Sequence, residues 1–175
     1  MTQRRLGNPH SPRKPKYDFP PLICGALSHQ AACSKRHSAR TSESTALSKP
    51  PTISVIDDDG SVRAATYNLV RSFGYVVHTF ASAGEFLRSP YLNETSCVIA
   101  DVRMPAMSGL ELQAYLLAEG YRVPFIFITA FSAENVRTEA LKAGASCFLT
   151  KPFTGEALSG CLDAALRERD EERSK

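Results

Sequence analysis

Five polar residues that could act together on one charged ligand follow short apolar runs. Asp57 and Asp58 follow T-I-S-V-I, Asp101 follows S-C-V-I-A, Thr129 lies near the end of P-F-I-F-I-T-A, and Lys151 follows S-C-F-L-T. Neighbouring carboxylates resist ionising unless a divalent cation with oxygen ligands offsets their charge, and Mg²⁺ suits such a site. A lysine and a threonine beside that cation would stabilise a phosphoryl group in transfer. The residue types therefore indicate phosphoryl chemistry supported by Mg²⁺.

Each residue taken singly has an ordinary structural explanation. The triplet Asp57-Asp58-Asp59 suits a turn or a helix cap, Thr129 suits a strand, and Lys151-Pro152 suits a surface loop. Asp101 alone would favour a functional role no more than a structural one. Their shared position after apolar runs favours a common site, provided that these runs are strands of one sheet.

From residue 51 onward the apolar runs alternate with segments of helical periodicity. The predicted strands span 52–56, 75–80, 96–100, 124–130 and 146–150. The predicted helices span 61–73, 83–90, 109–119, 133–143 and 155–170. Such alternation implies parallel strands, right-handed crossovers and helices on both faces of one sheet. We expect a doubly wound α/β fold with a five-stranded parallel sheet, whose ligand lies at the carboxyl ends of the strands.

Local sequence signals support the predicted helix bounds. Ser82 and Glu85 have capping-box spacing, and Ser132 and Thr154 stand where N-caps are expected. Glycines follow three predicted helix ends, at Gly74, Gly120 and Gly144. We assign the folded domain to residues 52–170 and a short tail to residues 171–175.

The charge of the chain is divided between its two parts. Residues 1–51 carry nine Lys or Arg against Asp18 and Glu43, whereas the rest of the chain carries twelve against sixteen acidic residues. The first segment is rich in Pro, Ser and basic residues and lacks apolar periodicity, so we expect a disordered basic extension. Contact with nucleic acid or an anionic surface stays open as its role, as does a translation start near Leu47 that would omit it.

Composition also excludes several classes of protein. No apolar run approaches the roughly 18 residues that cross a bilayer, which argues against a membrane span. The acidic domain lacks the basic footprint of nucleic-acid binding. Five cysteines, an odd number without a close pair, predict reduced thiols in the cytoplasm, three of them filling the core, namely Cys97, Cys147 and Cys161.

Four stretches resemble the response-regulator receiver domains of two-component signalling, and in particular the FixJ-like branch. They are V-I-D-D-D-G-S-V-R (55–63), A-D-V-R-M-P-A-M-S-G (100–109), F-I-T-A (127–130) and A-G-A-S-C-F-L-T-K-P-F (143–153). The resemblance implies that Asp101 accepts a phosphoryl group from a phosphohistidine of a sensor histidine kinase. It also implies that Mg²⁺ is ligated by Asp58, Asp101 and the backbone carbonyl of Arg103, with Asp57 acting through water.

The same resemblance implies roles for the residues around the phosphoacceptor. Thr129 would hydrogen-bond the phosphoryl group, and Lys151 would contact a carboxylate before modification and a phosphoryl oxygen after it. Thr129 and Phe148 would form the conformational switch, although a plain core role for Phe148 stays open. Arg103 and Phe131 would set the lifetime of the acyl phosphate. Pro105 and Gly109 would suit the loop before the third helix, and the bond before Pro152 would be cis.

The leading interpretation is a regulatory domain switched by phosphorylation, without enzymatic activity beyond its own phosphorylation and dephosphorylation. It would signal by protein contacts through the fourth helix, fifth strand and fifth helix, to a downstream target or a phosphotransfer protein. Because the sequence ends at Lys175, soon after the last predicted helix, we expect the output to be a partner, a relay step or a domain outside this sequence. Dimerisation, an unphosphorylated adaptor and a Mg²⁺-dependent phosphotransferase with an aspartate nucleophile stay open.

Overall fold

A computed structural model describes residues 49–130 and 134–174, and these contain a five-stranded parallel sheet with five α-helices. The strands are β1 Thr52–Ile56, β2 Val76–Phe80, β3 Cys97–Asp101, β4 Phe125–Thr129 and β5 Cys147–Thr150. The helices are α1 Gly60–Ser72, α2 Ala83–Leu87, α3 Gly109–Ala118, α4 Glu134–Lys142 and α5 Gly155–Arg173. A 3₁₀ turn at Leu92–Glu94 precedes β3. The predicted alternation and fold class are confirmed.

The sheet has the strand order β2-β1-β3-β4-β5, and all neighbouring strands are parallel. Every residue of β1, β3 and β4 is buried, as expected for central strands covered by helices on both faces. The edge strands β2 and β5 are only partly buried. The strand order reverses between β1 and β3, so the crevice expected in such sheets lies at the carboxyl ends of these two strands.

One layer of the core lies between the central strands and helices α1 and α5. It contains β-branched residues of the sheet together with aliphatic residues of these helices, and it fixes the strand register. The fully buried members are Ile53, Val55, Val70, Cys97, Ile99, Ile126, Ile128, Leu158, Leu162 and Ala165.

Several predicted helix ends are confirmed, whereas the predicted carboxyl ends of α2 and α5 are wrong. Ser82 and Thr154 accept backbone hydrogen bonds as N-caps of α2 and α5, and the three predicted glycines adopt positive φ. Helix α2 ends at Leu87 and not at 90, because Pro90 has no N–H to donate and disfavours helical geometry at Ser89.

The predicted N-terminal extension and C-terminal tail can be compared with the structure to different extents. Helix α5 continues to Arg173, so it includes most of the residues assigned to a C-terminal tail. The basic extension is represented only by residues 49–51, since residues 1–48 lie outside the described residues, as does the predicted cap Ser132. Within the described ranges, no helix combines the length and apolarity that a membrane span requires.

The prediction that all cysteines are reduced thiols is wrong for one pair. Cys147 of β5 and Cys161 of α5 are joined by a disulfide, with their Cα atoms 5.7 Å apart, a separation that suits such a bond. Packing of α5 on β5 brings together residues 14 positions apart, which the spacing of cysteines alone did not indicate. Cys97 is a free thiol buried in the core as predicted, and burial raises its pKa to about 12.

Candidate functional site

Asp57 lies immediately after β1 with a fully buried side chain, and each of its polar groups has a partner. Its N–H donates to the carbonyl of Phe80 at 3.2 Å, which places it beside the end of β2. Its Oδ1 accepts from the backbone N–H of Asp59 at 2.9 Å, and its Oδ2 accepts from Lys151 Nζ at 2.8 Å. The carboxylate of Asp57 therefore points inward and has a fixed orientation.

The other two members of the acidic triplet face different surroundings. Asp58 is exposed at the mouth of the crevice, where its carboxylate is accessible to an ion from solvent. Asp59 turns away and caps α1, because its Oδ1 accepts from the N–H groups of Ser61 and Val62 at 2.8 and 3.2 Å. These hydrogen bonds, that of Val62 first and then that of Ser61, lower the pKa of Asp59. The triplet thus combines the functional and the capping explanations that the sequence left open.

Asp101 is the last residue of β3, next to β1, and 8% of it is exposed. Its Oδ1 accepts from the backbone N–H of Arg103 at 2.9 Å, and its Oδ2 accepts from Lys151 Nζ at 2.6 Å. The small exposed fraction leaves this carboxylate accessible to a ligand from solvent although the protein otherwise holds it. Asp101 therefore has the exposure and fixed orientation that a nucleophile requires.

The loop from β3 to α3 depends on Gly109. A Cβ at this position would lie 2.4 Å from the carbonyl oxygen of Asp101 and 3.1 Å from Phe127 Cε1, so no larger residue fits without displacing the backbone of Asp101. Between Asp101 and Gly109 the chain makes a tight turn. The N–H of Met107 donates to the carbonyl of Pro105 at 2.8 Å, and Ala106 adopts a positive φ of 64°. The loop therefore returns toward the end of β3 by close backbone contact at Gly109 and a tight turn at Ala106.

Thr129 and Lys151 reach the site from the ends of β4 and β5. Thr129 is the buried last residue of β4, and its carbonyl accepts from the N–H of Lys151 at 2.7 Å. The Lys151–Pro152 peptide bond is cis, as expected. The ammonium of Lys151 lies between the carboxylates of Asp57 and Asp101, so four strand ends meet in one crevice.

Burial and ion pairing act against each other in this crevice. Burial raises the pKa of Asp57, and the hydrogen bond from Lys151 lowers it by less, so the net shift is upward. For Lys151, burial is the largest single influence and lowers its pKa, but the hydrogen bonds to Asp101 and Asp57 and the negative charges of these carboxylates raise it, and the net shift is upward. The ammonium therefore stays protonated at neutral pH and is the positive charge among three carboxylates.

The same carboxylates fit a hard divalent cation. Ligand oxygens of Asp57, Asp58 and Asp101 lie within 4.8 Å of one another, a separation that one ion can span. Oxygen ligands of this charge suit Mg²⁺, which binds one or two carboxylates and retains water or phosphate oxygens. The residues present thus fit the predicted metal.

For three further residues, Phe148, Arg103 and Phe131, the predicted roles stay predictions. Phe148 of β5 is buried and pairs in register with Phe127, so plain packing accounts for its present position. Arg103 contributes its N–H to Asp101, while a role for its carbonyl in metal binding stays a prediction. Phe131 lies outside the described residues.

Sequence reasoning did not single out Arg63, although it stands in the motif quoted for residues 55–63. Its guanidinium NH1 donates to the carbonyl of Asp57 at 2.6 Å and lies 3.5 Å from that of Asp58. Its position in the sequence could have indicated this contact. Side chains of a helix tilt toward its N-terminus, so a basic residue one turn into a helix can reach three aspartates that precede the helix.

The family model of the response regulator receiver domain matches residues 53–163, more than half of the chain. The chain belongs to this family. It is 43% identical over 122 residues to the response regulator protein TodT of Pseudomonas putida, covering 70% of this chain and 54% of TodT. It is 39% identical over 114 residues to the transcriptional regulatory protein FixJ of Azorhizobium caulinodans, covering 65% of this chain and 54% of FixJ. The receiver chain thus spans about half the length of these relatives.

Solved receiver structures share the fold. The response regulator StyR superposes with a TM-score of 0.66 at 42% identity, covering 71% of this chain and 63% of StyR. The structure of FixJ-N superposes with a TM-score of 0.61 at 30% identity, covering 67% of this chain and 94% of FixJ-N. The resemblance of the sequence to receivers of the FixJ-like branch is therefore confirmed.

Proposed function

We propose that this receiver accepts a phosphoryl group on Asp101 from a phosphohistidine of a sensor histidine kinase. The observation that carries the proposal is the position of the Lys151 ammonium, 2.6 Å from Asp101 and 2.8 Å from Asp57, beside a third carboxylate. A carboxylate oxygen of Asp101 would bond phosphorus while the phosphorus–nitrogen bond breaks and its electron pair stays on the donor imidazole. Lys151 would then contact the phosphoryl oxygens in place of the Asp101 carboxylate.

The remaining residues would stabilise the transferring phosphoryl group and set the lifetime of the acyl phosphate. Bound Mg²⁺ would supply positive charge to the transferring group, and Asp57, Asp58, Asp101 and the carbonyl of Arg103 would hold it. Thr129 would donate its hydroxyl to a phosphoryl oxygen. Bulky groups at Arg103 and Phe131 would hinder water, so Phe131→Glu should shorten the acyl phosphate lifetime.

The output would be a protein contact in the cytoplasm. We place it on α4, β5 and α5, because β5 carries Lys151 at its carboxyl end and Phe148 within it. The partner would be a downstream target, a phosphotransfer protein or a second copy of the chain. An adaptor that works without phosphorylation is the alternative.

Acetyl phosphate with Mg²⁺ tests the proposal without the cognate kinase. We expect wild type to gain the mass of one phosphoryl group and Asp101→Asn to gain none. Asp170→Asn, on the exposed end of α5, removes the same charge far from the crevice and should label like wild type. Equal labelling of Asp101→Asn would refute the assignment, and no labelling of wild type by acetyl phosphate or a histidine kinase would favour the adaptor.

A further inference from the structure

The side chain of Arg63 reaches back from the first turns of α1 to the loop that carries the acidic triplet. Its NH1 atom donates to the carbonyl of Asp57 at 2.6 Å and lies 3.5 Å from the carbonyl of Asp58. Asp57 is thereby bonded through its N–H, its carbonyl and both carboxylate oxygens, the last two to Asp59 and Lys151. Arg63 completes the set of contacts that fixes this residue.

The position of Arg63 needs a local explanation, because a cation near a helix N-terminus is disfavoured by the helix dipole. Asp59, the N-cap of α1, places a carboxylate at this helix end, although the first turn itself has no acidic residue. A charged donor at 2.6 Å from a carbonyl makes a strong hydrogen bond, and the same NH1 atom lies 3.5 Å from the neighbouring carbonyl. The two carbonyls of the loop are the hydrogen-bond partners of Arg63, and Asp59 supplies opposite charge nearby.

We propose that Arg63 is a positioning residue for the cation site, holding the backbone of Asp57 and Asp58 so that their carboxylates converge with Asp101. This inference rests on the proposed function of the crevice. As a cation itself, Arg63 would not ligate Mg²⁺ and would act through the loop carbonyls, in the way that outer partners of metal ligands fix ligand orientation.

The direction in which Arg63→Gln changes Mg²⁺ affinity distinguishes a positioning role of Arg63 from a purely electrostatic one. Removing the positive charge of Arg63 from the neighbourhood of a cation site would strengthen Mg²⁺ binding if electrostatic repulsion dominated. Loss of the carbonyl bonds would instead free the loop and weaken binding. We expect Arg63→Gln to weaken Mg²⁺ binding by about tenfold, as loss of an outer partner does at other metal sites.

Isothermal titration of Mg²⁺ into wild type, Arg63→Gln, Arg63→Lys and Arg71→Gln tests this expectation. Arg71 lies at the far end of α1, exposed and bonded to Tyr67, so Arg71→Gln removes the same charge from the same helix without touching the loop. It should stay within about twofold of wild type, because exposed distant charges are screened. Arg63→Lys should recover part of the affinity, since an ammonium still reaches one carbonyl.

A second readout needs no metal. The N–H of Asp59 bonds Asp57 Oδ1, and its hydrogen exchange in metal-free protein should be faster in Arg63→Gln than in wild type and Arg71→Gln. Binding by Arg63→Gln that is equal to or tighter than wild type, with unchanged exchange of this amide, would overturn the positioning role alone. Absence of Mg²⁺ binding by wild type would overturn the proposed function of the crevice and this inference with it.

Discussion

The two loops that carry the acidic residues are held in different ways. The loop after β1 is fixed by hydrogen bonds to charged groups, namely Arg63, Lys151 and the carboxylate cap of α1. The loop after β3 is fixed by close backbone contact at Gly109 and by a tight turn at Ala106. The first should therefore respond to changes of charge and hydrogen bonding, and the second to changes of side-chain size.

The largest effect is expected in the loop held by contact. Gly109→Ala would place a Cβ 2.4 Å from the carbonyl oxygen of Asp101, and displacement of that backbone should lower the free energy of unfolding by about 3 kcal/mol. It should also reduce labelling of Asp101. Urea unfolding measures the first effect and intact mass the second.

Gly160→Ala provides the matched control, because nothing lies within 4 Å of a Cβ at this position of α5. The same substitution should there raise the free energy of unfolding by about 0.5 to 1 kcal/mol, since alanine favours a helix over glycine. Equal responses of the two variants would show that the loop after β3 is not held by close contact.

A smaller effect is expected in the loop held by hydrogen bonds. Asp59→Ala removes the N-cap of α1 and should lower the free energy of unfolding by about 1 kcal/mol. Asp59→Asn keeps an acceptor for the same N–H groups and should lose much less. Thermal or urea unfolding of the three proteins distinguishes capping from charge, and an equal loss in both variants would contradict capping.

Relief of strain in the loop after β3 should be smaller still. Ala106 has a φ of 64°, which glycine adopts without steric cost, so Ala106→Gly should raise the free energy of unfolding by about 0.5 kcal/mol. Urea unfolding beside Ala164→Gly, a substitution within α5 that should destabilise, provides the comparison. Destabilisation by Ala106→Gly would mean that this turn is not strained.

The last comparison concerns the pH dependence of the free energy of unfolding at Asp57 and Asp59. Burial raises the pKa of Asp57 above 3.8, so its contribution to stability is full below pH 3.8 and is lost as pH rises through the raised pKa. Hydrogen bonds lower the pKa of Asp59, so its contribution is present above pH 3.8 and is lost as pH falls through the lowered pKa.

Urea unfolding of metal-free wild type, Asp57→Asn and Asp59→Asn between about pH 3 and pH 7 measures both slopes. Relative to Asp57→Asn, wild type should lose stability as pH rises above 3.8. Relative to Asp59→Asn, it should lose stability as pH falls below 3.8. Slopes of the same sign would contradict the opposite environments of the two carboxylates.

The convergence of Asp57, Asp101, Thr129 and Lys151 could be predicted because it follows from strand alternation. Parallel strands place their carboxyl ends at one edge, so residues far apart in sequence meet there without any contact being known in advance. Asp58 followed from adjacency to Asp57. The position of these residues needed only the order of elements and the period of apolar residues.

Contacts that depend on side-chain direction could not be predicted in the same way. The bond from Arg63 to the loop carbonyls, the pairing of Cys147 with Cys161 and the close approach of Gly109 to Asp101 each require the packing of a helix against the sheet. The sequence signals at these positions, an arginine, two cysteines and a glycine, are each compatible with several environments. Helix α2 is different, since Pro90 already carried the signal for its earlier end.

The ammonium of Lys151 is attached to the chain, so its concentration at the crevice does not depend on dilution or on the salt around the protein. Asp57 and Asp101 therefore have a permanent counter-ion, 2.8 and 2.6 Å away, whatever the supply of divalent metal. In metal-free protein these two carboxylates thus still have an ion-pair partner. A phosphoryl donor of the kind proposed would therefore meet carboxylates that are already oriented by Lys151.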